Sequence, residues 1–93
     1  MTHQQFISVW DAIEDTSQKA EMMRIRSALM MALNQYITRQ GLTPTQAAQL
    51  FTITPLQMSD FLCGKINLFT VDALLNMAAA AGLHIDIQIR AAA

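Results

Sequence analysis

Two rhythms of apolar residues divide this chain. Met22, Ile25, Leu29, Ala32, Leu33, Tyr36 and Ile37 recur at steps of three and four. That spacing lays one apolar stripe along a helix and predicts a long helix over Ser17–Gln40. Gly41 is suited to end it as a left-handed residue, and Arg39 sits in the last turn, where the helix dipole favours a cation. Near the other end the period becomes two. Leu83, Ile85, Ile87 and Ile89 alternate with His84, Asp86, Gln88 and Arg90, the pattern of a half-buried strand. Nothing else in the chain offers that strand a clear partner.

Between the two rhythms stand two copies of one phrase, eleven residues apart: Thr43-Pro44-Thr45-Gln46 and Thr54-Pro55-Leu56-Gln57. Each reads as a helix start. The Thr hydroxyl accepts from an orphan N–H of the first turn, and Pro has no N–H to lose and a preset φ. Gln reaches back to the N–H of the cap. The copies predict short helices over Pro44–Phe51 and Pro55–Cys63, the second closed by Gly64. Ala47 and Ala48 are small enough to let another helix cross closely, while Ile53 and Met58 should point inward. Thr70 then caps a helix over Val71–Ala81, with Val71, Leu74, Leu75 and Ala78 on its inner face and Gly82 as its stop.

The N-terminal residues are open to two readings. Phe6, Ile7, Val9 and Trp10 fit either a short extended arm or the entry to a helix. Asp11 to Asp15 fits one helical turn, and Asp15, Thr16 and Ser17 form a natural cap cluster. The expected organisation is an N-terminal arm over 1–15 and a helix-turn-helix domain over 16–93, with the three final Ala residues as a frayed tail. The expected fold class is mainly all-α: four to five helices, with a C-terminal β-strand that pairs in a dimer. Met22 belongs to the apolar stripe. Met23 and Met30 lie off it and read either as a wider core face under the arm or as a pliable surface for another protein.

Composition narrows the function. The chain has 93 residues, enough for one domain, and 53% of them are hydrophobic against 14% charged, so it can bury a core. A net charge of −1 and a pI near 6.0 argue against a strong, sequence-blind nucleic-acid binder. The single cysteine, Cys63, rules out an intrachain disulfide and a cysteine-rich metal site. It reads as a semi-buried helix-end residue and fits a reducing cytoplasm. His3 and His84 are isolated and read as surface residues rather than ligands or bases. No metal, cofactor or enzymatic activity is expected. Neither a signal-peptide pattern nor an apolar run approaching ~18 residues is present, so the expectation is a cytoplasmic protein that does not span a membrane.

The array Leu42-Thr43, Ala47-Ala48-Gln49-Leu50, Ile53-Thr54, Met58-Ser59-Asp60 and Gly64-Lys65 resembles the Xre-type (Cro/repressor-like) helix-turn-helix. Arg24 to Ala91, about three-quarters of the chain, is similar to small regulators of that family that end in an Ile-rich strand. Some of those are HigA-type antitoxins encoded beside an RNA-cleaving toxin. The resemblance implies a dimeric, sequence-specific DNA-binding transcriptional regulator, with double-stranded DNA and a second copy as partners and a cognate toxin as a further one. It implies base contacts from Thr54, Leu56, Gln57 and Asp60 at the exposed start of a recognition helix. Gln pairs bidentately with adenine, Leu touches a thymine methyl, and Asp accepts from cytosine. Phosphate contacts would come from Thr43, Thr45, Gln46, Lys65 and Asn67, partly through helix-start N–H groups, and the dimer interface from Leu83, Ile85, Ile87 and Ile89. Three features depart from the family pattern. Thr52 stands where Gly is usual in the turn, Pro44 and Pro55 stand where Gln is common, and Gln57 stands where a basic or polar reader is common. The alternative is a protein-interaction module that kept the scaffold and lost its DNA contacts.

Overall fold

A computed structural model describes residues 9–91, with side chains from Ser17 onward. Four helices follow one another: α1 (Val9–Gln40), α2 (Pro44–Phe51), α3 (Pro55–Leu62) and α4 (Val71–Ala80), with a 3-10 turn at Ile66–Leu68 between the last two. Phe6, Ile7, His3 and the last two Ala residues lie outside the described residues.

α1 is longer than the expected helix. It runs unbroken through Asp15–Ser17, where a cap was expected, back to Val9. No Gly or Pro lies between Val9 and Gln40, and Asp, Thr and Ser each cost only a few tenths of a kcal/mol in a helix interior. A poor helix former weakens a helix without stopping it.

All four helices end alike. Leu42 N–H donates to Ile37 C=O (3.0 Å) and Gly41 N–H to Thr38 C=O (3.1 Å), the paired bonds of a Schellman stop. The same pair closes α2 (Ile53 to Ala48, Thr52 to Gln49), α3 (Lys65 to Asp60, Gly64 to Phe61) and α4 (Leu83 to Ala78, Gly82 to Ala79). Leu42, Ile53 and Leu83, the residues just past the stop, then pack against the core. Three of the four stops place Gly in the left-handed region; α2 places Thr52 there, at φ 60° and ψ 47°.

A β-branched side chain is disfavoured in that conformation by roughly 1–2 kcal/mol. Thr52→Gly is therefore expected to stabilise the domain, less the extra backbone freedom Gly has when unfolded, for a net gain of about 0.5–1 kcal/mol. Thermal unfolding should move up by about 2–8 °C. An unchanged or lower midpoint would mean that the Thr side chain makes a compensating interaction.

The core forms where the helices converge. α1 packs on α4 and on the 3-10 turn, and α2 packs on both α3 and α4. Phe51, Met58, Phe61, Leu74 and Met77 are the largest fully buried side chains. Phe61 stands edge-on to Phe69, ring centroids 5.6 Å apart at 83°, and tilted to Phe51 at 6.3 Å. Ala47 and Ala48 are buried, as their size suggested, and Ile53 is half-buried.

The inner face of α1 differs from the expected stripe. Met30, Leu33 and Ile37 are buried, while Met22 and Ala32 are exposed and Ile25, Leu29 and Tyr36 are half-buried. The cause is how much of the helix is covered. Among the described side chains of α1, buried positions occur only from Met30 to Ile37, so the face that meets the core is set there, and Met22 lies beyond it. Met30 is thus a core residue rather than part of a pliable surface. Cys63, expected to be semi-buried, is exposed as the C-cap of α3.

Among the described residues no β-strand forms. Residues 83–91 leave α4 without regular structure, and exposure climbs along the segment, from half-buried Leu83 to 38% at Ile85, 73% at Ile87 and 92% at Ile89. A strand is defined by its ladder, and the described residues of a single copy supply no second strand to complete one. Beside the segment runs an open groove of about 770 Å³, walled by Ile25 and Leu29 of α1 and Val71 and Leu75 of α4. At its rim Arg24 donates to both carboxylate oxygens of Glu21, at 3.2 and 2.5 Å. That hydrogen bond holds the Glu21 carboxyl below its ordinary pKa and the Arg24 guanidinium above its own. No helix among the described residues is long and apolar enough to cross a membrane.

Candidate nucleic-acid interface

The two Thr-Pro phrases build the site. Thr43 and Thr54 both lie in extended backbone, and each hydroxyl accepts from the N–H of the Gln three residues on, at 3.1 Å. Each Gln Oε1 in turn accepts from the Thr N–H, at 2.9 Å for Gln46 and 2.8 Å for Gln57. Both starts are therefore complete capping boxes.

This closure limits what the helix starts offer an anion. The first turn of a helix has orphan N–H groups that attract phosphate. Here Pro44 and Pro55 have none, and the N–H groups of Gln46 and Gln57 already serve the boxes. Ala47 and Met58 N–H groups make the first helical bonds, to Thr43 and Thr54 C=O. One N–H per helix is left for an outside acceptor, on Thr45 in α2 and on Leu56 in α3.

The exposed surface of α3 is nearly uncharged. Thr54, Pro55, Leu56, Gln57 and Ser59 are exposed, and Leu56 keeps 73% of its surface free. Asp60 is half-buried and pairs with Lys65, Nζ to Oδ1 3.4 Å. Lys65 is the only Lys or Arg between Leu42 and Ile89, so this pair partly neutralises the one cation of the unit. The start of α2 and the length of α3 meet at a crevice of about 290 Å³, which brings Thr45 beside Pro55 and Ser59. Thr43, Gln46 and Asn67 are exposed as well, Asn67 on the 3-10 turn that follows Lys65.

The residues suggested by sequence are thus all at the surface or its edge, but their chemistry is more committed than their identity implied. Gln57 is folded back onto its own helix start, and Asp60 and Lys65 hold each other. The capping phrase signalled the first. Nothing in the spacing of Asp60 and Lys65 signalled the second, because they face each other only after the chain turns at Gly64. Cys63 lines the crevice, and His84 is exposed on the C-terminal segment. Among the described residues, no group of three or more His, Cys, Asp or Glu is placed to hold a metal ion.

Comparison with known proteins agrees with this geometry. No curated protein matches the chain. The helix-turn-helix domain family matches it over residues 12–90, a span that takes in most of α1, the two capped helices, α4 and nearly all of the C-terminal segment. With that match over most of its length, and with two short helices joined by a three-residue turn at its centre, this chain belongs to the helix-turn-helix domain family.

Proposed function

We propose that the protein is a sequence-specific DNA-binding transcriptional regulator that works as a dimer. The observation that carries this reading is the pair of capped helices with an exposed second helix. Thr54, Leu56, Gln57 and Asp60 are the base-contacting group, and Thr43, Thr45, Gln46, Lys65 and Asn67 the phosphate-contacting group. The near-neutral surface favours a binder that depends on sequence over one that grips any duplex.

Dimerisation belongs to the same reading. Leu83, Ile85, Ile87 and Ile89 of two copies pair antiparallel, giving each exposed segment a ladder that the described residues of one chain do not form. The groove beside the segment then receives apolar side chains from the mate. The further role of antitoxin, with a cognate toxin as partner, rests on the resemblance to HigA-type regulators alone. In it, residues 1–15 serve the partner protein, since they precede the two capped helices α2 and α3.

The test is salt-dependent binding to duplexes selected from a random library. Lys65→Ala should weaken all sequences alike and flatten the log–log salt slope by about 0.9 per subunit, one phosphate's worth. Asp60→Asn frees Lys65 and removes a negative charge, so non-specific affinity should rise about two- to fivefold per subunit, the range of an exposed ion pair. Selection of no sequence at low salt would favour the protein-interaction module instead.

A further inference from the structure

We propose that the recognition helix reads its operator chiefly through a 5-methyl group in the major groove, packed against Leu56. The inference rests on the DNA-binding reading above and specifies what that surface recognises. It follows from which side chains are free. Direct readout uses a short code: Arg or Lys to guanine, Asn or Gln to adenine, an acid to cytosine, and an apolar side chain to the thymine methyl.

α2 and α3 carry no Lys, Arg or Asn. Gln57 has its carbonyl oxygen bonded to the Thr54 N–H at 2.8 Å, so bidentate contact with adenine competes with the capping box for the orientation of that side chain. Asp60, the acid of the code, is half-buried and held by Lys65 at 3.4 Å. On α3 the Ser59 hydroxyl is also free, but a hydroxyl contacts either kind of base, so the apolar contact is the discriminating part of the code left with an uncommitted side chain.

Leu56 is built for it. It lies in the first turn of α3, the part of a recognition helix that meets base edges. Its side chain is 73% exposed, and its neighbours Thr54, Pro55 and Ser59 are uncharged. The methyl has two sources in DNA, thymine and 5-methylcytosine.

The experiment uses the full chain and a duplex selected from a random library. Each thymine of the selected half-site is replaced in turn by deoxyuridine, which removes only the methyl. Wild type should lose about fourfold at one or two positions, the worth of one buried methyl. Leu56→Ala, which alters an exposed side chain and should fold normally by circular dichroism, should bind the thymine and uracil duplexes equally. At the same position, 5-methylcytosine paired with guanine should outbind unmodified cytosine for wild type only. That arm separates the methyl from the A·T pair that normally carries it. Uracil tolerated at every position, or an equal loss in wild type and variant, would overturn the inference while leaving DNA binding intact. A library that yields no enriched sequence overturns the DNA-binding reading and this one with it.

Discussion

Phe61→Ala is expected to destabilise the domain by about 3–5 kcal/mol, the usual cost of emptying a large aromatic site in a core. Phe61 has 0% exposure and touches aromatic rings on both sides, Phe51 from α2 and Phe69 from the segment before α4. Its edge-to-face contact with Phe69 adds to the burial term, since such pairs are worth about 0.5–1.5 kcal/mol beyond area. A domain of this size commonly has about 5–15 kcal/mol in all, so the variant loses a large fraction of its stability and should unfold at a markedly lower urea concentration. Urea titration followed by circular dichroism measures the loss. A functional consequence follows, because Phe61 and Phe51 lie on the two helices of the candidate interface. Loosening that contact releases the angle between α2 and α3, so DNA binding should fall even in the folded fraction. A loss below about 1 kcal/mol would show that the neighbouring side chains collapse into the space, which the spread of measured cavity costs allows only at pliable sites.

Ile87→Pro should abolish the dimer and with it most operator affinity. Ile87 is 73% exposed in the single chain and Ile89 92%, so neither substitution nor mispairing there disturbs the core. In the proposed antiparallel pairing, proline removes one ladder donor and places a ring where the mate must approach. The charges select a register. A two-fold axis at Gln88 puts Asp86 opposite Arg90 of the mate, a cross-strand pair worth a few tenths to about 1 kcal/mol. An axis at Asp86 would set two carboxylates face to face. Two half-sites about 34 Å apart need two linked recognition helices, and losing the link costs the avidity factor, about a hundredfold or more. Light scattering should report monomer, and titration of the selected duplex should show the loss. A variant that remains dimeric with unchanged affinity would move the interface elsewhere, with the exposed face of α1 next in line.

How much of this was legible in the chain depends on the range of the physics. The two Thr-Pro-X-Gln phrases specified α2 and α3 because every bond of a capping box lies within four residues. The Gly stops at Gly41, Gly64 and Gly82 were legible for the same reason. The stop at Thr52 was not, because Thr has no preference for the left-handed region. The turn imposes that conformation, and the packing of Ile53 and the closure of α2 sustain it. The start of α1 was misplaced because a cap cluster marks where a helix is free to begin, not where it must.

Sequence by itself determined the helix-turn-helix unit and the face that α3 exposes, since both are products of local hydrogen bonding and of the period of apolar residues. It also showed that residues 83–91 have one apolar face. Tertiary structure alone decided which part of α1 is core. That depends on how far α4 and the 3-10 turn extend along it, a long-range fact that left Met22 exposed and buried Met30. It alone decided that Asp60 and Lys65 neutralise each other, because their approach requires the chain to reverse at Gly64. It also left the C-terminal segment without a strand, because a ladder needs a second strand and the periodicity of one cannot supply it.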